Sequence, residues 1–129
     1  MNYYHSKILK SKDFDSVRTE VEAALKDEGF GVLTEIDFKA TMKKKLDKNY
    51  LPHVILGACN PTYADKVVSI EPHISTLLPC NVTIREMENG DIEVSAMDPS
   101  AAMKVVENDE IIQHAKEVNE MLKNVLKAI

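Results

Sequence analysis

The chain has 129 residues, of which 44% are hydrophobic and 29% are charged, and its formal net charge at pH 7 is -5. This length fits a single domain spanning residues 1–129, and the ordinary composition excludes a disordered or low-complexity protein. The negative charge argues against nucleic acid as a partner, because phosphate binding needs clustered lysine and arginine.

The first third of the chain predicts a strand, a helix and a second strand. Residues 3–9 alternate weakly, as in a strand. Asp13 is a favourable helix N-cap, and apolar residues recur at helical spacing from Phe14 to Leu25, so the helix should end at Gly29. One face of the second strand is then expected to carry Phe30, Val32, Ile36 and Phe38.

The middle of the chain predicts two helices around a buried strand. A lysine-rich helix is expected over about 38–47, and its charges are typical of a solvated helix face. The apolar run Val54–Leu56 indicates a strand that is covered on both faces. Asn60–Pro61 then opens a helix, because Asn is a favoured N-cap and Pro fits the first helical position.

The strongest local signal is a hairpin in the C-terminal half. Residues 80–87 and 92–97 alternate, and the Asn89–Gly90 dipeptide between them tolerates positive φ at both positions. Asp98–Pro99 repeats the cap-plus-proline pattern and predicts a short helix. The last helix, about 108–126, should pack on the sheet through a stripe of apolar residues at helical spacing. The stripe consists of Ile111, Ala115, Val118, Leu122, Val125 and Ile129.

The resulting order, β-α-β-α-β-α-β-β-α-α, predicts the α+β class. We expect an open mixed β-sheet of about five strands, flanked by helices on at least one face. No internal repeat or linker divides the chain, so no second domain is expected.

Nothing in the sequence is typical of a membrane or export segment. No apolar run approaches the roughly 20 residues of a membrane span. Residues 1–10 also lack the apolar core of a signal peptide. We therefore expect a cytoplasmic protein without a membrane partner, in which Cys59 and Cys80 are reduced thiols.

Two segments carry the dipeptide Cys-Asn where an element begins or ends, Gly57–Pro61 and Leu78–Asn81. Cys59 is expected where a strand meets a helix N-terminus, and the positive end of the helix stabilises a thiolate. The alternative is that both cysteines are small buried core residues, which is common for free cysteine. Cys80 fits that alternative well, because it shares a face with two apolar strand residues.

A redox pair of Cys59 and Cys80 depends on how their strands run. In parallel strands the thiols would lie at opposite ends of the sheet, about 17–20 Å apart. A disulfide allows a Cα separation of only about 4.4–6.8 Å. In antiparallel strands the two ends can meet, and the sequence leaves both arrangements open.

No metal site or cofactor is expected. His53, Cys59, His73 and Cys80 are competent zinc ligands, but their spacing matches no compact zinc motif. The sequence also has no phosphate-binding loop, dinucleotide fingerprint or nucleophile elbow.

Three landmarks together resemble those of the domain-of-unknown-function 302 family (DUF302): Leu56–Pro61, Leu77–Val82 and Met97–Pro99. Phe14 and the segment Gly29–Val32 fit the same pattern, and the resemblance spans essentially the whole chain. It implies a small bacterial or archaeal α+β protein, homodimeric, with no established activity. The recurring positions of the family fall on Gly57, Cys59, Asn60, Pro61, Pro79, Cys80, Asn81, Asp98 and Pro99.

Three functions stay open, and with them the question of enzyme activity. The first is a homodimeric binding or sensing module with a small-molecule pocket near the two Cys-Asn segments. Its ligand-binding residues would be Gly57, Cys59, Asn60, Pro61, Cys80, Asn81 and Asp98. The second is a thiol-dependent redox protein or enzyme, with Cys59 as nucleophile, Cys80 as resolving partner and His53 or His73 near enough in space to act as a base. The third is an interaction protein whose cysteines are structural.

Overall fold

The structure, a computed structural model, describes residues 2–129. The strands are β1 (Tyr4–Leu9), β2 (Gly31–Asp37), β3 (His53–Cys59), β4 (Cys80–Glu86) and β5 (Ile92–Met97). The helices are α1 (Phe14–Asp27), α2 (Phe38–Leu46), α3 (Pro61–Ile70), α4 (Pro99–Ala102) and α5 (Asp109–Lys127). Two short 3₁₀ segments, Pro72–Leu77 and Met103–Val106, follow α3 and α4.

The five strands form one open sheet in the order β1-β5-β4-β3-β2, and all four strand pairs are antiparallel. The α+β class, the single domain and the five strands are therefore confirmed. The expectation of a mixed sheet was wrong. The connection of α3 and the following 3₁₀ segment returns the chain to the end of the sheet that β3 has just left, so β4 runs back beside β3.

Side-chain caps set the starts of the helices. Asp13, Asn60 and Asn108 each accept a hydrogen bond from a backbone N–H of the first turn of α1, α3 and α5. Pro follows the cap at the start of α3 and α4, where a missing N–H costs nothing. Local sequence signals thus determine where these elements begin.

The core lies between one face of the sheet and the pair α1 and α5. In β4 and β5 every second residue is buried, including Val82, Ile84 and Val94 with no exposed surface. A second cluster joins α3, the 3₁₀ segments and α5. Its buried members are Val67, Ile74, Met103, Ile111 and Ala115.

The other face of the sheet is largely open to solvent. Tyr4, Ile8 and Ile36 lie on this face and are 41%, 48% and 46% exposed. Ile55 also lies there, so β3 is not covered on both faces as the apolar run suggested. A register shift between Val32 and Thr34 interrupts the alternation of side chains along β2. Val32 and Ile36 therefore lie on different faces of the sheet.

None of the helices in the described part of the chain combines the length and hydrophobicity that a membrane crossing needs.

Candidate functional site at the junction of β3 and β4

The two cysteines meet at one end of the sheet. Cys59 is the last residue of β3, Cys80 is the first residue of β4, and Ala58 lies directly opposite Cys80 in the antiparallel pair. Both thiols are free. The antiparallel arrangement, which the sequence left open, therefore brings the two Cys-Asn segments together.

A small cavity opens beside the two thiols, between the end of the sheet, α3 and α5. Its volume is about 40 Å³, which is room for about three water-sized groups. Most of its wall is apolar and comes from Phe30, Ala58, Ala64, Val67, Leu78, Pro79, Pro99, Met103, Ala115 and Val118. Cys59, Asn60, Tyr63, Cys80 and His114 supply the polar atoms.

The two thiols have different surroundings. Cys80 is only 6% exposed, and burial, together with the neighbouring Cys59, raises the pKa of the Cys80 thiol to about 11. Cys80 is therefore protonated at neutral pH. Cys59 is half-buried and directly precedes Asn60, the N-cap of α3. Of the two, Cys59 is the one that solvent can reach.

Asn60 is held by structural hydrogen bonds. Its side-chain oxygen accepts from the backbone N–H of Tyr63 at 3.5 Å, and its Nδ2 donates to the carbonyl of Glu28 at 3.5 Å. The first bond caps α3, and the second ties α3 to the end of α1. Asn60 therefore shapes the cavity wall while its own polar atoms are already engaged.

His114 also lines the cavity, and no role was expected for it from the sequence. Its Nδ1 is buried without a hydrogen-bond partner and lies 3.7 Å from Oε2 of Glu117. Tyr63 packs edge-on against the imidazole at 5.9 Å between ring centroids. A hydrogen bond with Glu117 raises the pKa of Tyr63. One unpaired imidazole nitrogen is thus held at a mainly apolar cavity.

A sequence signal for His114 was available. His114 stands three residues after Ile111 and four before Val118, and both of those are members of the buried stripe of α5. Residues at these spacings share one face of a helix. The stripe therefore already placed His114 at the edge of the buried face.

Gly57 and Pro61 flank the cavity residues Ala58, Cys59 and Asn60 in the chain. A Cβ built on Gly57 would overlap Oγ1 of Thr34 and lie 2.8 Å from Cγ of Pro79. Gly57 therefore allows Pro79, the residue before Cys80, to pack closely on β3. Pro61 occupies the first position of α3. Neither residue is part of the cavity lining.

Asn81 and Asp98 lie outside the cavity. Asn81 is exposed on the open face of the sheet, opposite Gly57, in a shallow depression shared with Tyr4 and Ser95. Asp98 caps α4, accepting hydrogen bonds from the N–H groups of Ser100 and Ala101 at 2.9 and 3.2 Å. Of the seven predicted ligand-binding residues, the structure therefore brings Cys59, Asn60 and Cys80 to the cavity.

His53 and His73, the two histidines predicted as possible bases, do not line the cavity beside the thiols. His53 packs on the ring of Phe38, with 4.9 Å between centroids, and burial lowers the pKa of His53. The His73 side chain is 94% exposed and pairs with Glu71. Within residues 2–129, no three His, Cys, Asp or Glu side chains are grouped so as to hold a metal ion.

Comparison with known proteins agrees with this architecture. A family model described as domain of unknown function DUF302 matches residues 5–129. A solved structure, described as "Crystal structure of uncharacterized conserved protein DUF302 from Bacillus stearothermophilus", superimposes with a TM-score of 0.91 at 23% identity. The similarity covers 99% of this chain and 98% of that one, and at this identity it shows a shared fold. No match was found among curated proteins.

Proposed function

This chain belongs to the DUF302 family, and we propose that it is a homodimeric module that binds a small, largely apolar ligand in the cavity beside Cys59 and Cys80. The observation that carries the proposal is the wall of this cavity. Ten apolar residues surround a few polar ones, and this combination is typical of small-molecule sites.

The size of the cavity limits the ligand class. A volume of about 40 Å³ accepts about three water-sized groups. The part of the ligand that enters is therefore a short apolar group of about three or four non-hydrogen atoms. His114 Nδ1, which has no partner, would make one hydrogen bond to a polar atom of that group. Larger portions of the ligand would remain outside, beyond Tyr63 and His114.

A second copy of the chain is the proposed partner for the open face of the sheet. Support comes from Tyr4, Ile8 and Ile36, which leave large apolar side chains exposed on this face. Sedimentation equilibrium tests the dimer directly. Ile8→Lys should shift the population to monomer, whereas a wild-type monomer at all concentrations contradicts this part of the proposal.

We place the protein in the cytoplasm. A reducing compartment would keep Cys59 and Cys80, at adjacent strand ends, as free thiols.

Methyl-detected NMR tests ligand binding. Xenon enters small apolar cavities, and 1-propanol adds one hydroxyl to an apolar group of suitable size. Both should shift the methyl signals of Ala58, Ala115 and Met103 in a saturable manner. The substitution Ala64→Leu fills the cavity and should abolish these shifts.

The matched control is Ala23→Leu, the same substitution on an exposed position of α1. It should leave the shifts unchanged. If neither probe perturbs the cavity methyls in the folded wild-type protein, or if Ala64→Leu has no effect, the cavity is not a binding site and the proposal is wrong.

A further inference from the structure

We propose that Cys59 and Cys80 form a thiol–disulfide redox pair, which is oxidised by exchange with low-molecular-weight disulfides. This activity does not depend on the proposed ligand. It follows from where the sheet places the two cysteines.

The register of β3 and β4 sets the separation of the two cysteines. Ala58 is opposite Cys80, so Cys59 is displaced by one residue along the strand. Opposite residues in antiparallel strands lie about 4.5–5.5 Å apart and one residue adds about 3.4 Å along the strand, which gives a Cα separation of about 6 Å. Disulfides require about 4.4–6.8 Å.

The directions of the two side chains are also compatible with a bond. Neighbouring positions on a strand normally point to opposite faces. Cys59, however, is the last residue of its strand, where the chain turns into the cap of α3, and both cysteines line the same cavity. Cys59 also contributes to the raised pKa of the Cys80 thiol, which indicates that the two side chains lie close together.

Access determines the order of attack. Cys59 is half-buried, whereas Cys80 is 6% exposed. Burial also keeps the Cys80 thiol protonated, with a pKa of about 11. An incoming disulfide therefore meets Cys59 first, and Cys80 acts only on a sulfur that is already bound next to it.

The exchange balances in two steps. The Cys59 thiolate attacks one sulfur of the disulfide RSSR, so that a bond forms between Cys59 Sγ and RS while the S–S bond of RSSR breaks. The departing RS⁻ keeps the bonding electron pair and takes up the proton that Cys59 lost. Cys80 then loses its proton and attacks Cys59 Sγ, which releases the second thiolate as RSH. The two cysteines are oxidised and one RSSR is reduced to two RSH.

Incubation of the folded, reduced protein with oxidised glutathione tests the pair. After trapping with N-ethylmaleimide, intact mass spectrometry should show loss of two hydrogen atoms and no bound glutathione in the wild type. Cys80→Ser should accumulate one glutathione on Cys59, because nothing displaces it. Circular dichroism confirms folding of each variant, and Cys80→Ala replaces Cys80→Ser if the serine is not tolerated in the core.

Cys59→Ser provides the second readout. A rise in pKa from 9.0 to about 11 lowers the thiolate fraction at neutral pH about a hundredfold. Cys59→Ser removes the smaller contribution of Cys59 to this rise but not the burial, so Cys80 in this variant should react up to about a hundredfold more slowly in the native protein than in denaturant. The proposal is overturned if the native wild type stays fully reduced, retains glutathione as Cys80→Ser does, or forms only intermolecular disulfides.

Discussion

Replacement of Gly57 by Ala tests how the two strand ends are held together. The added methyl would overlap Oγ1 of Thr34 and approach Cγ of Pro79 to 2.8 Å, so both neighbours must move. Overpacking of this kind costs about 1–3 kcal/mol. Replacement of Gly by Ala also lowers the conformational entropy of the unfolded chain, which stabilises the folded protein by about 0.4–1 kcal/mol. We expect a net loss of about 1–2 kcal/mol, or roughly 4 °C in Tm per kcal/mol.

Urea denaturation of a double-mutant cycle separates the two contacts. Thr34→Ala alone should change the unfolding free energy by less than about 0.5 kcal/mol, because Thr34 is exposed. In the double mutant, Thr34→Ala should restore about 1 kcal/mol of the unfolding free energy that Gly57→Ala removes, because the overlap with Oγ1 of Thr34 is gone. Gly31→Ala is the matched control, because a Cβ there meets nothing within 4 Å. A Gly57→Ala protein as stable as Gly31→Ala would refute the reasoning.

Three further predictions concern single polar groups. Burial raises the pKa of Asp98 but its cap hydrogen bonds lower it overall, so its charge stabilises the fold above about pH 4 and this contribution is lost as the pH falls through the lowered pKa. Asp98→Asn keeps a good N-cap. The unfolding free energy of this variant should therefore fall less than that of the wild type when the pH is lowered from about 7 to about 2. Asn119 is 8% exposed and bonds to His5 at 2.8 Å, so Asn119→Ala should cost about 1–3 kcal/mol in urea denaturation, and less if His5 is already Ala. In a Cys59→Ser protein, the alkylation rate of Cys80 should rise about tenfold per pH unit toward pH 11, and a plateau near pH 8 would contradict the buried thiol.

Much of the fold could be predicted because its signals are local. The expected hairpin appears between β4 and β5, with Gly90 at a φ of +90°, although Asn89 does not adopt a positive φ. The caps Asp13, Asn60 and Asn108 mark helix starts in the sequence and in the structure. Each of these features depends on a few neighbouring residues, so the printed sequence contains the information needed.

Strand pairing could not be predicted in the same way. The direction of β4 beside β3 depends on the path of the intervening helical segments through space. The shift between Val32 and Thr34 is equally non-local, because it appears only when β2 is aligned with β3. Ile55 illustrates the consequence, since an apolar side chain in a continuous apolar run lies on the open face. The short distance between Cys59 and Cys80 could not be predicted for the same reason.

The candidate site was found only in part. The Cys-Asn segments lie at the end of the sheet where the cavity opens, but His114 reaches the same cavity from α5, far away in sequence. His114 has an apolar ring edge and two nitrogens, so it is compatible with either a buried or an exposed position. Its side chain is 17% exposed, in keeping with a position at the edge of the buried stripe.

The repeated Cys-Asn dipeptide has two different meanings in this fold. In β3 the cysteine ends the strand, so the following Asn60 is free to cap α3. In β4 the cysteine begins the strand, so Asn81 is its second residue and alternation turns it to the open face. The asparagines therefore diverge while Cys59 and Cys80 converge on one cavity. A duplicated ligand site would bring both asparagines to the ligand, whereas the proposed thiol pair needs only the two cysteines to lie close together.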